Sequence, residues 1–296
     1  MASKHFFKRH QGRASYDLFS TYSYYLPDLK GMIMLLLMFA LGGLLGNIVI
    51  IGLTVGLSAE FAQIYGTVIS YPLMFVPAMI YASYKSRKAE LWGEFEGMPE
   101  GGIPLDSNNF GQIGGLKLAF IVSFATLAAA LLAEPVNLLL PEMPEVLKKA
   151  LEMVTEGPLW VSLLSVSIFA PLFEEWLCRG LVLRGLLQKL NPFSAIAVSA
   201  AFFAVLHMNP WQAIPAFLLG LLFGYVYYKT GSLKLTMLMH CVNNTFSVIL
   251  SRIPSFAEAE TFMDIMSPWA YACILVACVL IICSILVILR GINRQA

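Results

Sequence analysis

The stretch LWVSLLSVSIFAPLFEEWLCRGLVL, residues 159–183, is long and apolar enough for a transmembrane helix, which needs about 20 such residues. It nevertheless carries Glu174, Glu175 and Arg179. A charged side chain at the centre of a bilayer costs about 3 kcal/mol on insertion scales, so these residues are candidates for function. The stretch therefore predicts a membrane-spanning helix built around a polar site.

The whole chain of 296 residues has the composition of a membrane protein. Hydrophobic residues make up 58% of it, charged residues make up 12%, and the mean hydropathy is +0.75. A soluble domain carries about twice that share of charge, so disordered proteins and ordinary soluble enzymes are excluded. The 19 Lys and Arg against 18 Asp and Glu leave no basic excess for binding nucleic acid. We predict an all-α polytopic membrane protein.

Apolar runs of suitable length predict about eight transmembrane helices. The predicted spans are 32–56, 65–84, 117–133, 159–183, 193–208, 211–228, 233–250 and 269–289. No cleavable signal peptide precedes the first span, which we expect to be an uncleaved anchor. The predicted regions are an N-terminal cytoplasmic tail (1–31), N-terminal helices with a cytoplasmic loop (32–140), an outward-facing loop (141–158), a core region (159–250), and the last loop, final helix and short tail (251–296).

The distribution of Lys and Arg predicts how these spans are oriented. With eight spans and a cytoplasmic N-terminus, most basic residues fall on the cytoplasmic side, and only Lys148, Lys149 and Arg252 face outward. We therefore expect a multi-pass protein of the inner (cytoplasmic) membrane, with both termini in the cytoplasm.

The charged residues of span 159–183 are not equivalent. Glu175 and Arg179 are four residues apart, so they share one helix face and can pair. Glu174 points about 100° away and has no partner on its own helix. It must be protonated or meet a group from another helix. A buried ion-pair network that only joins helices is the structural alternative.

Two histidines in later spans are predicted to reach Glu174. Of the four histidines, only His207 and His240 lie in apolar segments. At about 1.5 Å per residue, antiparallel helices place both near the depth of Glu174, with Asn244 one turn beyond His240. The carboxylate can take a proton from water. The histidines can polarise that water, bind a metal or stabilise an oxyanion, and the Asn amide can donate to an oxyanion. Together they form a candidate catalytic set.

These residues resemble the motifs of the CAAX protease and bacteriocin-processing (CPBP, or Abi) family, which includes the type II CAAX prenyl endopeptidases. The family pattern is EExxxR on one span, FxxxH on the next and HxxxN or HxxxD further on. All three occur here in that order, on separate spans: Glu174-Glu175-xxx-Arg179, Phe203-xxx-His207 and His240-xxx-Asn244. The resemblance marks the core region, 159–250, as a CPBP-like catalytic core.

The resemblance implies an eight-helix intramembrane protease with a polar catalytic cavity that opens to the cytoplasm. By that likeness Glu174 is the general base that activates water, and His207 assists it. His240 and Asn244 stabilise the oxyanion. The implied activity is endopeptidase cleavage of a membrane-associated, lipidated or hydrophobic peptide or protein. Membrane lipids are the other expected partners.

The resemblance leaves the role of a metal open, because the family has been described both as metalloproteases and as glutamate-dependent proteases. Glu174, His207 and His240 could supply three zinc ligands and leave a fourth position for water. However, the chain has no HExxH motif. With Glu174 as a ligand, the acid left to act as base would be Glu175, which the family pattern uses with Arg179 as support. We therefore favour a glutamate mechanism over zinc.

Three other interpretations remain at this point. The chain could be a non-enzymatic bacteriocin-immunity protein or membrane scaffold that keeps the motif as a binding site. It could be a proton-coupled transporter, although its polar residues cluster in one plane instead of forming a path. A cysteine mechanism would use Cys178 or Cys241, but a neutral thiol in an apolar helix is a poor nucleophile.

Overall fold

A computed structural model describes residues 19–92, 99, 101–257, 259 and 261–292. Residues 1–18 of the predicted tail 1–31 lie outside the described residues. Regular structure in the described part is helical and contains no strand, which confirms the all-α prediction. The protein is an integral membrane protein of many apolar helices.

The main helices follow one another through connections of different lengths. In chain order they are α1 Leu29–Gly56, α2 Ala59–Trp92, α3 Gly115–Ala133, α4 Glu145–Glu156, α5 Leu159–Leu186, α6 Pro192–Leu206, α7 Pro210–Thr230, α8 Leu233–Leu250 and α9 Pro268–Arg290. Shorter helical turns cover Ser20–Tyr22, Glu134–Leu139, Pro254–Ala257 and Phe262–Asp264.

All eight predicted spans coincide with helices, and six of those helices in the described part are long and apolar enough to cross a bilayer: α1, α2, α3, α5, α7 and α9. α6 has 15 residues, fewer than the roughly 20 that a full crossing needs. α8 has 18 residues, and His240, Asn243 and Asn244 lower its hydropathy. The two helices that fall short both carry motif residues.

Side-chain caps fix where several helices begin. In each case a side-chain oxygen accepts the backbone N–H three residues further on, which satisfies one of the free donors of the first turn. The capping residues are Asp28, Asn191, Asn209, Ser232 and Ser267. α7 ends at Gly231, whose φ of 65° is a left-handed conformation that glycine adopts without strain. These caps produce the tight turns that connect α5, α6, α7 and α8.

The connections gather at two opposite ends of the helix bundle. At one end Arg184 donates to the backbone carbonyls of Tyr22, Ser23, Tyr25 and Ile103. We call this end the basic end, because it also holds Lys189, Lys229, Lys234 and Arg290. At the opposite end Trp211 donates to the Pro141 carbonyl, and the Phe262 amide donates to Glu134. Which end faces the cytoplasm stays a prediction.

α5 is the central helix. Burial inside the protein covers 61% of its most apolar window, against 17% for α9 and 22% for α1. Leu177, Cys178 and Leu181 are fully buried there and pack with Phe75 of α2. α5 is therefore the element around which the functional side chains assemble.

Candidate active site

The acids of α5 lie between two π-helical segments, Leu163–Phe169 and Trp176–Leu183, which flank the α-helical turn Ala170–Glu175. π-helical turns are rare in proteins, and many of those that occur lie at functional sites. Each segment has a carbonyl that accepts a hydrogen bond from a neighbouring helix. Asn244 Nδ2 of α8 donates to Val166 over 2.8 Å, and Ser199 Oγ of α6 donates to Cys178 over 2.9 Å.

Glu175 and Arg179 form the ion pair that their spacing predicts. Arg179 Nη1 donates to Glu175 Oε1 over 2.7 Å, and both side chains have no exposed surface. The guanidinium carbon lies 4.6 Å from the ring centre of Phe203 and 5.4 Å from that of Phe223. Such cation–π contacts partly replace the solvation that the buried cation loses. Arg179 Nη2 also donates to the carbonyl of Gly220 over 3.3 Å.

His240 lies between the two acids. Its Nδ1 atom is 3.1 Å from Glu175 Oε1, and its Nε2 atom is 3.7 Å from Glu174 Oε2. An ionised carboxylate only accepts hydrogen bonds, so Nδ1 carries the hydrogen. The ring stands edge-on to Phe203 at 5.4 Å, which holds it in this position. His240 thus connects the ion pair to Glu174.

Glu174 uses only one of its two oxygens within the described part of the chain. Oε1 accepts a hydrogen bond from the Tyr71 hydroxyl of α2, whereas Oε2 is buried and has no hydrogen-bond partner there. The residue is 9% exposed. A buried polar atom without a partner costs about 1–3 kcal/mol. Glu175 Oε2 and Arg179 Nε, in the same group of side chains, also lack a partner among the described residues.

The charges of this buried group balance only with one additional proton. Two carboxylates and one guanidinium leave one negative charge in a low-dielectric surrounding, where an uncompensated charge is costly. A proton on His240 or on Glu174 makes the group neutral.

The hydrogen bonds given for His207 and Asn244 go to residues outside this group. His207 is partly exposed, and its Nδ1 atom donates to the Phe203 carbonyl over 3.0 Å, which leaves the lone pair of the neutral ring on Nε2. The rings of His207 and His240 both contact Phe203, at 5.0 and 5.4 Å. Asn244 is held by Val166 and accepts from Asn243 Nδ2 over 3.0 Å. The structure brings the motif helices together, with Phe203 between the two histidines.

Sequence reasoning missed Tyr71, Phe223 and Gly220. Tyr71 lies in the middle of the predicted span 65–84, where its hydroxyl needs a partner. That need was a usable signal, but it did not identify the partner. Phe223 and the Gly220 carbonyl carry no sequence signal beyond being apolar and small.

The side chains do not assemble the expected three-ligand zinc set in this conformation. Among the described residues, no three His, Cys, Asp or Glu side chains are grouped so that they could hold a metal ion. His240 and Glu174 approach each other, but His207 does not complete the group. Zinc therefore stays an expectation from the resemblance, and no chemical step below depends on it.

Two of the cavities in the described part of the protein have volumes that would admit a small ligand. One, of about 480 Å³, lies at the basic end and is lined by residues that include Tyr24 and Arg87. The other, of about 450 Å³, lies toward the opposite end and is lined by residues that include Glu134 and Asn243. Glu174 lines neither cavity, so the cytoplasmic opening to the site stays a prediction.

Comparison with known proteins supports a membrane protease. The family described as Type II CAAX prenyl endopeptidase Rce1-like matches residues 156–246, a segment that contains all three motifs. A curated Bacillus subtilis protein, "Putative membrane peptidase YdiL", is 27% identical over 104 residues, which cover 35% of this chain and 42% of that relative. The chain thus spans about two fifths of the length of this relative. No solved structure matches the chain.

Proposed function

We propose that the chain is an intramembrane endopeptidase, from the premise that residues 156–246 match the family described as Type II CAAX prenyl endopeptidase Rce1-like. The substrate is a peptide or protein that enters from the membrane because it is lipidated or hydrophobic. The observation that carries the proposal is the unpartnered, buried oxygen Glu174 Oε2 facing His240 Nε2 at 3.7 Å.

In the proposed reaction Glu174 is the general base. Its Oε2 atom takes a proton from water while the water oxygen attacks the carbonyl carbon of the scissile bond. The electron pair of the carbonyl moves to its oxygen and forms a tetrahedral oxyanion. When this intermediate collapses, the C–N bond breaks and the leaving amine takes a proton, which restores the carboxylate.

His240 is the proposed donor to the oxyanion. Glu175 accepts a hydrogen bond from Nδ1–H and so orients the ring, as the acid of a catalytic triad orients its histidine. When His240 carries the proton that neutralises the buried group, Nε2–H can donate to a developing negative charge. Donors fixed in a water-poor site are worth several kcal/mol to such a transition state.

The proposed roles of His207 and Asn244 are assistance. The Nε2 lone pair of His207 can accept a hydrogen bond from the attacking water and so orient it, while Glu174 takes the proton. One N–H of Asn244 is used by Val166, and the second remains able to donate to the oxyanion. Glu175 and Arg179 support the site by holding His240 in place.

Peptide cleavage by the purified chain in lipid bicelles tests this proposal. Peptides with a prenylated Cys near the C-terminus and the same peptides without the lipid would be incubated with wild type and Glu174→Gln. We expect wild type to cut at least one of them and the variant to lose at least about 100-fold in rate, as on removal of a general base. Cleavage should survive a metal chelator. If folded wild type cuts neither peptides nor cellular membrane proteins, the immunity or scaffold interpretation is favoured.

A further inference from the structure

The residue that binds Glu174 Oε1 comes from a part of the chain that the motifs do not cover. Tyr71 belongs to α2, outside the matched residues 156–246. Its hydroxyl donates to Oε1 of Glu174. A tyrosine hydroxyl inside a membrane protein needs a hydrogen-bond partner, and here that partner is the proposed base.

This contact makes the two oxygens of Glu174 different. Oε1 is held by Tyr71, and Oε2 is left free beside His240 Nε2. A carboxylate that is free to rotate would present either oxygen to water. With Oε1 fixed, the carboxylate plane is set and Oε2 is the oxygen that can accept the proton.

α2 is held firmly enough for Tyr71 to have this effect. On one side α1 packs so closely that a Cβ atom at Gly42 would lie 1.9 Å from the Met74 carbonyl oxygen. On the other side Phe75 of α2 stacks on Phe173 of α5 with ring centres 5.2 Å apart and planes inclined by 17°. Tyr71 therefore lies on a helix that is fixed between α1 and the helix that carries the base.

We propose that Tyr71 is a positioning residue for the reaction, and that the α1–α2 pair is part of the active site because it supplies this residue. The inference rests on the proposed function. Tyr71 selects Oε2 as the reacting oxygen and stabilises the ionised carboxylate. It does not exchange a proton with the substrate.

Several other titratable or charged groups lie close to Glu174 and also influence the pH dependence of the reaction. His240 faces it from α8, and Glu175, Cys178 and Arg179 lie beside it on α5. These groups remain when the Tyr71 hydroxyl is removed, so a change in pH dependence can be assigned to the lost donor.

The test compares Tyr71→Phe with Tyr65→Phe in the full-length chain in bicelles, using the peptide that wild type cuts. Tyr65 is also on α2, and its ring packs on Phe61 and Trp160, away from Glu174. We expect Tyr71→Phe to lower kcat about tenfold or more, as for one hydrogen bond to a charged group, with KM within about twofold. The acid limb of its pH–rate profile should move to higher pH, because the ionised carboxylate loses a donor. Tyr65→Phe should match wild type in kcat, in KM and in the pH–rate profile.

Two outcomes separate the failure of this inference from the failure of the proposed function. If wild type cuts the peptide and Tyr71→Phe keeps its kcat and its pH profile, the inference alone is wrong. If wild type cuts nothing, the proposed function is wrong and the inference fails with it. Thermal melting of Tyr71→Phe, Glu174→Ala and the double variant checks the contact without activity, because Glu174→Ala removes the acceptor of the Tyr71 hydroxyl. Strictly additive shifts in Tm would contradict the hydrogen bond.

Discussion

Glu174 and Glu175 are neighbours in sequence but meet different partners. Glu175 is fully buried against Arg179 and His240, and both of its contacts are to groups that can carry positive charge. Glu174 accepts a hydrogen bond from a neutral tyrosine, and its Oε2 atom lies 3.7 Å from His240 Nε2. Each acid has one oxygen without a hydrogen-bond partner among the described residues, so the contrast lies in the ion pair that only Glu175 makes with Arg179. The two acids should therefore respond differently when each loses its charge.

We predict that Glu175→Gln destabilises the protein far more than Glu174→Gln does. Removing Glu175 leaves the buried guanidinium of Arg179 without its counter-charge, which costs about 3–5 kcal/mol for a buried pair. Glu174→Gln preserves shape and a hydrogen-bond acceptor for Tyr71, so its thermal unfolding in mild detergent should stay close to that of wild type. Equal loss of stability in both variants would show that Glu174 is a structural acid as well.

Local spacing predicts part of this site and not the rest. The Glu175–Arg179 pair follows from four residues on one helix, and the approach of His240 follows from comparing depths along neighbouring helices. The contact of Tyr71 with Glu174 depends on how α2 is rotated and placed against α5. The stacking of Phe75 on Phe173 joins the two helices next to this contact, and no short-range pattern records it.

At the scale of elements, the π-helical segments of α5 are the feature that sequence reasoning did not foresee. The predicted span 159–183 reads as one apolar helix, because the hydrophobic residues continue through both segments. The segments are associated with hydrogen bonds from neighbouring helices, and those partners become adjacent only in the folded protein. Ser199 and Asn244 provide the two bonds.

We predict that Ser199→Ala lowers the free energy of unfolding by about 1 kcal/mol or somewhat more, because the buried carbonyl of Cys178 loses a donor. Ser123→Ala is the matched control. Its hydroxyl bonds to the Ala119 carbonyl of its own helix, so its loss removes no contact between helices. Thermal unfolding in detergent measures both. If the two variants unfold at the same temperature, the hydrogen bond between Ser199 and the Cys178 carbonyl does not stabilise α5.

At the scale of the whole molecule, Arg184, Lys189, Lys229, Lys234 and Arg290 gather at the basic end, and the side of the membrane that this end faces stays a prediction. The positions of the long helices were predictable because hydrophobic length records them directly. The reduced length of α6 was also visible in the sequence, because Asn191 caps α6 itself and Asn209 caps α7, which follows it. The tilt of the helices and their order around α5 were not predictable, because the apolar faces of a membrane helix are too similar to show which neighbour each one meets.

The basic end is predicted to face the cytoplasm, and labelling from outside the cell tests this. Lys148 and Lys189 are exposed at opposite ends of the protein. We expect a membrane-impermeant maleimide to add label to Lys148→Cys in intact cells, relative to the parent chain. Lys189→Cys should gain label only after the membrane is opened. The reverse pattern would place the basic end outside and contradict the predicted topology.

The central claim is that Glu174 drives hydrolysis of a membrane-associated protein. The most direct measurement compares newly formed protein termini in cells that make wild type or Glu174→Gln at equal membrane abundance. We predict termini that occur only with wild type and that lie within or next to apolar or lipidated segments. If the two sets of termini are identical across several growth conditions, the chain is not a Glu174-dependent protease, and the buried acids serve only to hold helices together.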